Sequence, residues 1–256
     1  KCPMPAIIYQ KYSGMHLCQV HFNDDVQRKV RETLRQTGLF GHGLRLALYM
    51  DGGKGSAVMA SIIKNLFAGR RDIDLVALIL DDQGPGAKAA RTAAEQLGIR
   101  MARESMPAFP VEGRETISPT PDTGRTAQEE GMIAGLAQRI GADAFATGRD
   151  LDDEATRIFM CYLEGNIGGL QDKLPEMRQL KERQGTIPTI QPLQRIPGKE
   201  VRLYALQHGL CFTEIETEDQ MHKEAYRQLS RFDSRHPGTK YSLLRSLEKL
   251  ELEKTD

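Results

Sequence analysis

From Leu44 the chain reads LRLALYM, and from Asp74 it reads DLVALILDD, with six apolar residues in unbroken succession between its acids. A run without polar alternation marks a strand covered on both faces, since period-two alternation is expected only where one face meets water. The stretches SAVMASIIKNLF, AKAARTAAEQLGI, AQEEGMIAGLAQRIG and DDEATRIFMCYLEGN instead carry apolar residues at helical spacing, the second ending at Gly98 as a C-cap. IRMARE and DAFATG read as weaker strands. Strand and helix alternate from about residue 41 to 195. That order predicts parallel strands joined by right-handed crossovers, a doubly wound α/β sheet of the Rossmann-like kind.

The flanks differ. Residues 1–40 open with the turn-rich KCPMPAIIYQKYSGMHLCQVHF and then enter a helical pattern, NDDVQRKVRETLRQTGLF, with Val26, Val30 and Leu34 on one face. Asn23 or Asp24 is the expected N-cap. Residues 196–256 read as a helical extension of three segments, KEVRLYALQHG, TEDQMHKEAYRQLSRF and TKYSLLRSLEKLELEK.

Composition narrows the function classes only a little. With 256 residues the chain can bury a sizeable core, and 39% hydrophobic with 27% charged residues is ordinary for a globular protein. Basic and acidic residues number 35 each, which argues against non-specific coating of nucleic acid and leaves room for a local basic face. No apolar run reaches the roughly 20 residues of a membrane span, so no membrane partner is expected. The first residues lack the apolar core of a signal peptide. Four scattered cysteines do not form a disulfide framework. The cytoplasm is the expected location.

The chemistry gathers at three glycine-bearing loops: DGGKGS at 51–56, DDQGPG at 81–86, and ATGRDLDDEA at 146–155. All three follow predicted strands, and in open α/β sheets ligands bind beyond the C-terminal strand ends. In the first loop, backbone N–H groups and the helix dipole converge as in a phosphate site. That makes Asp51, Gly52, Gly53, Lys54 and Ser56 candidate nucleotide-binding residues, although the first of them is an acid where an anion should sit.

The stretch LYMDGGKGSAVM resembles the PP-loop of N-type ATP pyrophosphatases, whose usual form is SGGKDS. LCQVHF, LDDQGPG, ATGRDLDDEA, QPLQRIPGKEVRLYAL and HPGTKYSLLRSLEKL extend the resemblance over nearly the whole chain, to the TtuA-type tRNA 2-thiouridine synthetases. The resemblance implies ATP or AMP with Mg²⁺ as ligands and tRNA as a partner. It implies adenylation of a tRNA uridine with release of pyrophosphate, after which sulfur displaces AMP. It assigns Asp152 and Asp153 to metal or catalytic work, adds Asp82, Gly84 and Gly148 to the nucleotide pocket, and places Lys240 and Arg245 against tRNA. It also implies a homodimer, or a heterodimer with an active relative.

The departures fall in the chemistry. Asp51 stands for the usual serine and Gly55 for the usual aspartate. A second negative charge about 4 Å from a phosphate costs ~4 kcal/mol at an effective dielectric of 20, on the order of a thousandfold in affinity or rate. Arg149 and Asp150 stand where His and Asn are usual. Thr120 and Thr123 occupy a Cys-x-x-Cys position, Ala127 and Gln128 a basic pair, and Glu216 or Thr217 a third sulfur position. Threonine is no thiolate ligand, so no iron–sulfur cluster is expected. Of a finger that needs four ligands, Cys2, Cys18 and His21 remain while Pro5 fills the fourth place. The result is an incomplete zinc site, which His16 could complete. Cys161 and Cys211 read as packing residues. Together these changes imply a catalytically degenerate member that retains nucleotide, tRNA or partner binding. Two alternatives stay open: an active tRNA-adenylating sulfurtransferase with an altered loop and an external sulfur carrier, or an assembly subunit without a ligand.

Overall fold

The computed structural model describes residues 2–81, 83–105, 127–165, 187–215 and 219–252. Five parallel strands form the central sheet: β3 (Leu44–Tyr49), β4 (Ile73–Asp81), β5 (Arg100–Ser105), β6 (Ala144–Ala146) and β7 (Thr189–Ile190). Their order is β5-β4-β3-β6-β7, so the winding reverses between β3 and β6. This is the doubly wound sheet the periodicity predicts. A separate antiparallel pair, β1 (Ile8–Gln10) and β2 (Met15–Leu17), precedes it.

Alternate residues of each central strand enter opposite cores, which is why those strands read as unbroken apolar runs. Leu44, Leu46 and Leu48 of β3 pack beneath α1 (Gln19–Gln36), α2 (Lys54–Leu66), α3 (Pro85–Gln96) and α6 (Gly198–Gln207). Ala47 and Tyr49 face the other way, against Ile133, Leu136 and Ala137 of α4 (Ala127–Arg139). A third cluster joins Leu151, Ile158 and Cys161 of α5 (Leu151–Leu163) to Leu244 and Leu247 of α8 (Thr239–Leu252). The amphipathic α7 (Gln220–Arg235) also packs on α5.

One boundary and one element depart from expectation. Helix α1 begins at Gln19, with Cys18 in the N-cap position, ahead of Asn23 and Asp24. Phe22 is fully buried and starts the same stripe as Val26 and Val30, so tertiary burial extends the helix backwards over the finger residues. Strand β7 was not expected. Its two residues are too short to show a period, and pairing with β6 defines it. Among the described residues, no helix is long and apolar enough to cross a membrane.

Candidate functional site

The loops after β3 and β6 meet where the strand order reverses, the position at which open sheets form a crevice. Gly52 has φ +87°, and a Cβ there would lie 2.0 Å from the Gly86 carbonyl oxygen at the start of α3. Gly55 meets the β6 loop in the same way: its Cβ would lie 2.0 Å from the Gly148 carbonyl oxygen, and one on Gly148 would lie 2.3 Å from the Ser56 nitrogen. The three loops are thus joined backbone to backbone. Gly55 cannot be replaced by the usual aspartate unless the β6 loop moves.

Asp51 does more than add charge. Its Oδ1 accepts from the Gly53 N–H at 2.8 Å and from the Ser56 hydroxyl at 2.6 Å. Those donors belong to the first turn of α2, where unsatisfied N–H groups and the helix dipole attract an anion. Here the chain supplies the anion itself, and an entering phosphate has to displace it.

Opposite the loop, Asp150 caps α5, accepting from the N–H groups of Asp152 (2.9 Å) and Asp153 (3.1 Å). Asp153 returns the bond by accepting from the Asp150 N–H at 3.0 Å. This is a capping box, so Asp153 has a structural task as well as a position in the site. Lys54 Nζ lies 3.5 Å from Asp150 Oδ2. Burial works against the Lys54 charge, but the carboxylates of Asp150 and Asp153 outweigh it and raise the ammonium above its ordinary pKa. Asp150 is raised well above the usual carboxylate range by burial first and by Asp153 and Asp152 next, with Lys54 pulling it back in part. Burial likewise raises Asp153. The sequence marks Asp150 as a changed position but gives it no role. Its D-L-D-D spacing is the capping signal that could have supplied one.

Asp152 turns elsewhere. Its Oδ1 lies 3.2 Å from Lys240 Nζ, and a Cβ on Gly198 would come within 3.1 Å of its Oδ2. Lys240, expected to face tRNA, is therefore buried, with a second contact to the Ser230 hydroxyl at 3.1 Å. The cause is helical spacing: Lys240 lies on the same α8 stripe as Leu244 and Leu247. Arg245 is exposed on that helix. Gly84 caps α3 ahead of Pro85, whereas Asp82 lies outside the described residues.

At the N-terminus, Cys2, Cys18 and His21 converge, with ligand atoms all within 4.8 Å of one another. Cys18 Sγ is 3.7 Å from Cys2 Sγ and 3.2 Å from His21 Nδ1. A hydrogen bond from the His21 backbone lowers the Cys18 thiol to about 7, so it offers thiolate near neutrality. Two sulfurs and an imidazole suit zinc, which fills four positions in structural sites. His16 stacks on Tyr9 at 4.5 Å and is not among the converging ligands. The β1–β2 turn is tied to the body through buried Glu200, which accepts from Gln10 at 3.2 Å and from Tyr12 at 3.0 Å. Cys161 is fully buried among apolar side chains. Cys211 is half-buried against the main core, two residues before Thr213, whose N–H donates to the Gly52 carbonyl at 2.8 Å. Thr120, Thr123, Glu216 and Thr217 lie outside the described residues.

Comparisons with known proteins agree along the chain. Residues 1–23 match the family described as 2-thiouridine synthetase TtuA, N-terminal LIM domain. The tRNA 2-thiolation protein NcsA of Haloferax volcanii is 28% identical over 98% of this chain and 85% of its own length. A probable sulfurtransferase of Methanocaldococcus jannaschii is 29% identical over 97% of this chain and 77% of its own. Among solved structures, the U34-tRNA thiolase NcsA from Methanococcus maripaludis superposes with a TM-score of 0.85 at 26% identity, covering 98% of this chain and 85% of that one. That thiolase was solved with its [4Fe-4S] cluster, which overturns the expectation that no iron–sulfur cluster belongs here. The exclusion rested on a few aligned positions outside the described residues, and these do not outweigh agreement over the whole fold. Nor do these relatives support a member without catalysis, for they are described as a thiolase, a thiolation protein and a probable sulfurtransferase. Over nearly its whole length the chain is thus similar to the TtuA- and NcsA-type tRNA 2-thiolation proteins of the PP-loop superfamily.

Proposed function

We propose that the protein is an active ATP-dependent tRNA-uridine sulfurtransferase that works through an altered PP-loop. The observation that carries this reading is the intact crevice: three loops joined at the switch point, with Lys54 at the start of α2 paired to Asp150 at the start of α5. ATP places its β- and γ-phosphates on the Gly53 N–H and the Ser56 hydroxyl once the Asp51 carboxylate has turned away. Lys54 holds the phosphate charge. The uridine O2 attacks the α-phosphorus, the bond to the bridging oxygen breaks, and pyrophosphate leaves. A sulfur nucleophile, supplied by a sulfur-carrying partner, then adds at C2 and AMP departs with the former O2. Mg²⁺ suits the hard oxygens of Asp51 and Asp153 and would offset phosphate charge there. Cys2, Cys18 and His21 are a separate metal site that orders the N-terminal module.

Pyrophosphate release from ATP, with and without tRNA, tests the reading. Release is expected only with tRNA, and Lys54→Ala is expected to lower it by about 100-fold, the scale of losing one preorganised charge-stabilising group. Absence of release from protein that has bound both ATP and tRNA would overturn it.

A further inference from the structure

Asp152 also lines a cavity of about 290 Å³ to which no PP-loop residue contributes. The β1–β2 turn, the starts of α5 and α6, and the α7–α8 corner enclose it. Tyr12, Tyr226 and Tyr241 form aromatic walls, the rings of Tyr12 and Tyr241 lying 4.8 Å apart. Inside, the buried Lys240 ammonium sits between the half-buried Asp152 carboxylate and Ser230 hydroxyl, and 5.4 Å from the centre of one face of the Tyr226 ring, so a base would take the ring's other face or its edge. Lys11 and Lys199 are exposed and add two positive charges. The remaining acid, Asp233, is already engaged, accepting from the N–H groups of Gly238 (3.2 Å) and Lys240 (3.3 Å) at the start of α8.

This combination has a definite chemistry. Phenol rings stack on nucleobases, fixed donors and acceptors meet a base edge, and exposed ammonium groups take a phosphate. The volume lies at the small end of ligand pockets, where one pyrimidine nucleoside fits and its phosphate stays outside. We propose that this cavity receives a single unpaired pyrimidine nucleotide of the RNA substrate, with its base against Tyr226 and its phosphate at Lys11 and Lys199. The proposal rests on the reading that RNA is the substrate. It assigns recognition to a pocket built jointly by the N-terminal turn and the C-terminal helices, which adjoins the acid side of the crevice through Asp152 and has no PP-loop residue in its lining.

Saturation-transfer NMR on the full chain, with UMP, ribose 5-phosphate and inorganic phosphate as separate probes, tests it. The uracil protons should receive saturation from the protein, and ribose 5-phosphate should bind at least about fivefold more weakly, as expected for loss of one stacked base. Tyr226→Ala, at a helix position that is 40% exposed, should weaken UMP by at least about fivefold. Lys199→Glu should weaken both sugar phosphates. Ser234→Trp, an exposed lining position, should block the cavity without touching the core. The proposal is overturned if UMP gives no signal, or if UMP and ribose 5-phosphate bind alike and survive Tyr226→Ala. Pyrophosphate release without UMP binding would sink the pocket alone, and UMP binding without release would sink the adenylation reading alone.

Discussion

The two sides of the crevice are built by opposite means. On the PP-loop side, Gly52 meets Gly86, and Gly55 meets Gly148, with no side chain between the backbones. On the acid side, everything is done by side chains: Asp150 against Lys54, Asp152 against Lys240, and Asp153 back onto the Asp150 N–H. Backbone contact of this kind tolerates no added atom, since neither partner has a rotamer to change. Charged side chains can be exchanged, at a cost set by the partner left behind.

The largest effect is therefore expected from Gly148→Ala. Its Cβ would sit 2.3 Å from the Ser56 nitrogen, so either the PP-loop or the β6 loop must move. Overpacking typically costs 1–3 kcal/mol, and two rigid backbones put this site at about the upper end. Urea unfolding should show that loss, and pyrophosphate release should fall with it. A variant as stable as the parent would mean that the loops are not in contact. Lys240→Met comes next, because it leaves the mostly buried Asp152 carboxylate without its ammonium partner. Removing one partner of a buried pair costs about 3–5 kcal/mol, and the partial exposure of both side chains places this one nearer 2–3 kcal/mol. Converting Asp152 to Asn in the same chain should return most of it. If the double variant is no better than the single, the pair is not coupled.

The contrast also explains what could be read without coordinates. Unbroken apolar runs identify β3 and β4 because each strand feeds two cores, and the helical stripes identify α2, α3 and α5 because each presents one face. The position of the glycine loops after strands is local information and legible in the sequence. The pairing of Gly55 with Gly148 is not, since it depends on how closely two distant loops approach. The burial of Lys240 is not legible for a related reason: a basic residue reads as surface unless its spacing to Leu244 and Leu247 is weighed. The acid at Asp51 is visible in the sequence as a conflict with phosphate. Its bonds to Gly53 and Ser56 follow only from the turn conformation.

A smaller, pH-dependent difference should separate the parent from Asp150→Asn, which keeps a capping side chain. Asp150 has a higher pKa in the folded protein than in the unfolded chain. Its contribution to stability is therefore fully present below the ordinary carboxylate range and is lost as pH rises through the raised value. The slope is at most about 1.4 kcal/mol per pH unit inside that window. Unfolding free energies measured from pH 4 to 8 should thus fall more steeply in the parent than in the variant. Parallel curves would show that Lys54 already compensates Asp150 in full.

The smallest stability change, and the sharpest comparison of the two sides, should come from Asp51→Ser. Two hydrogen bonds are lost, each worth about 1 kcal/mol net, and the new hydroxyl can recover one of them, so unfolding should shift by about 1 kcal/mol. Affinity should move the other way and further. The cradle donors become available and a repulsion of ~4 kcal/mol is removed, so calorimetry should show ATP binding at least about tenfold tighter, with a smaller gain for AMP, whose single phosphate need not enter the cradle. An equal gain for both nucleotides would mean that Asp51 acts as a diffuse charge and not as the occupant of the loop. No gain at all would mean that the parent protein already moves its carboxylate aside whenever ATP arrives, and the acid side would then carry the whole of the phosphate recognition through Lys54.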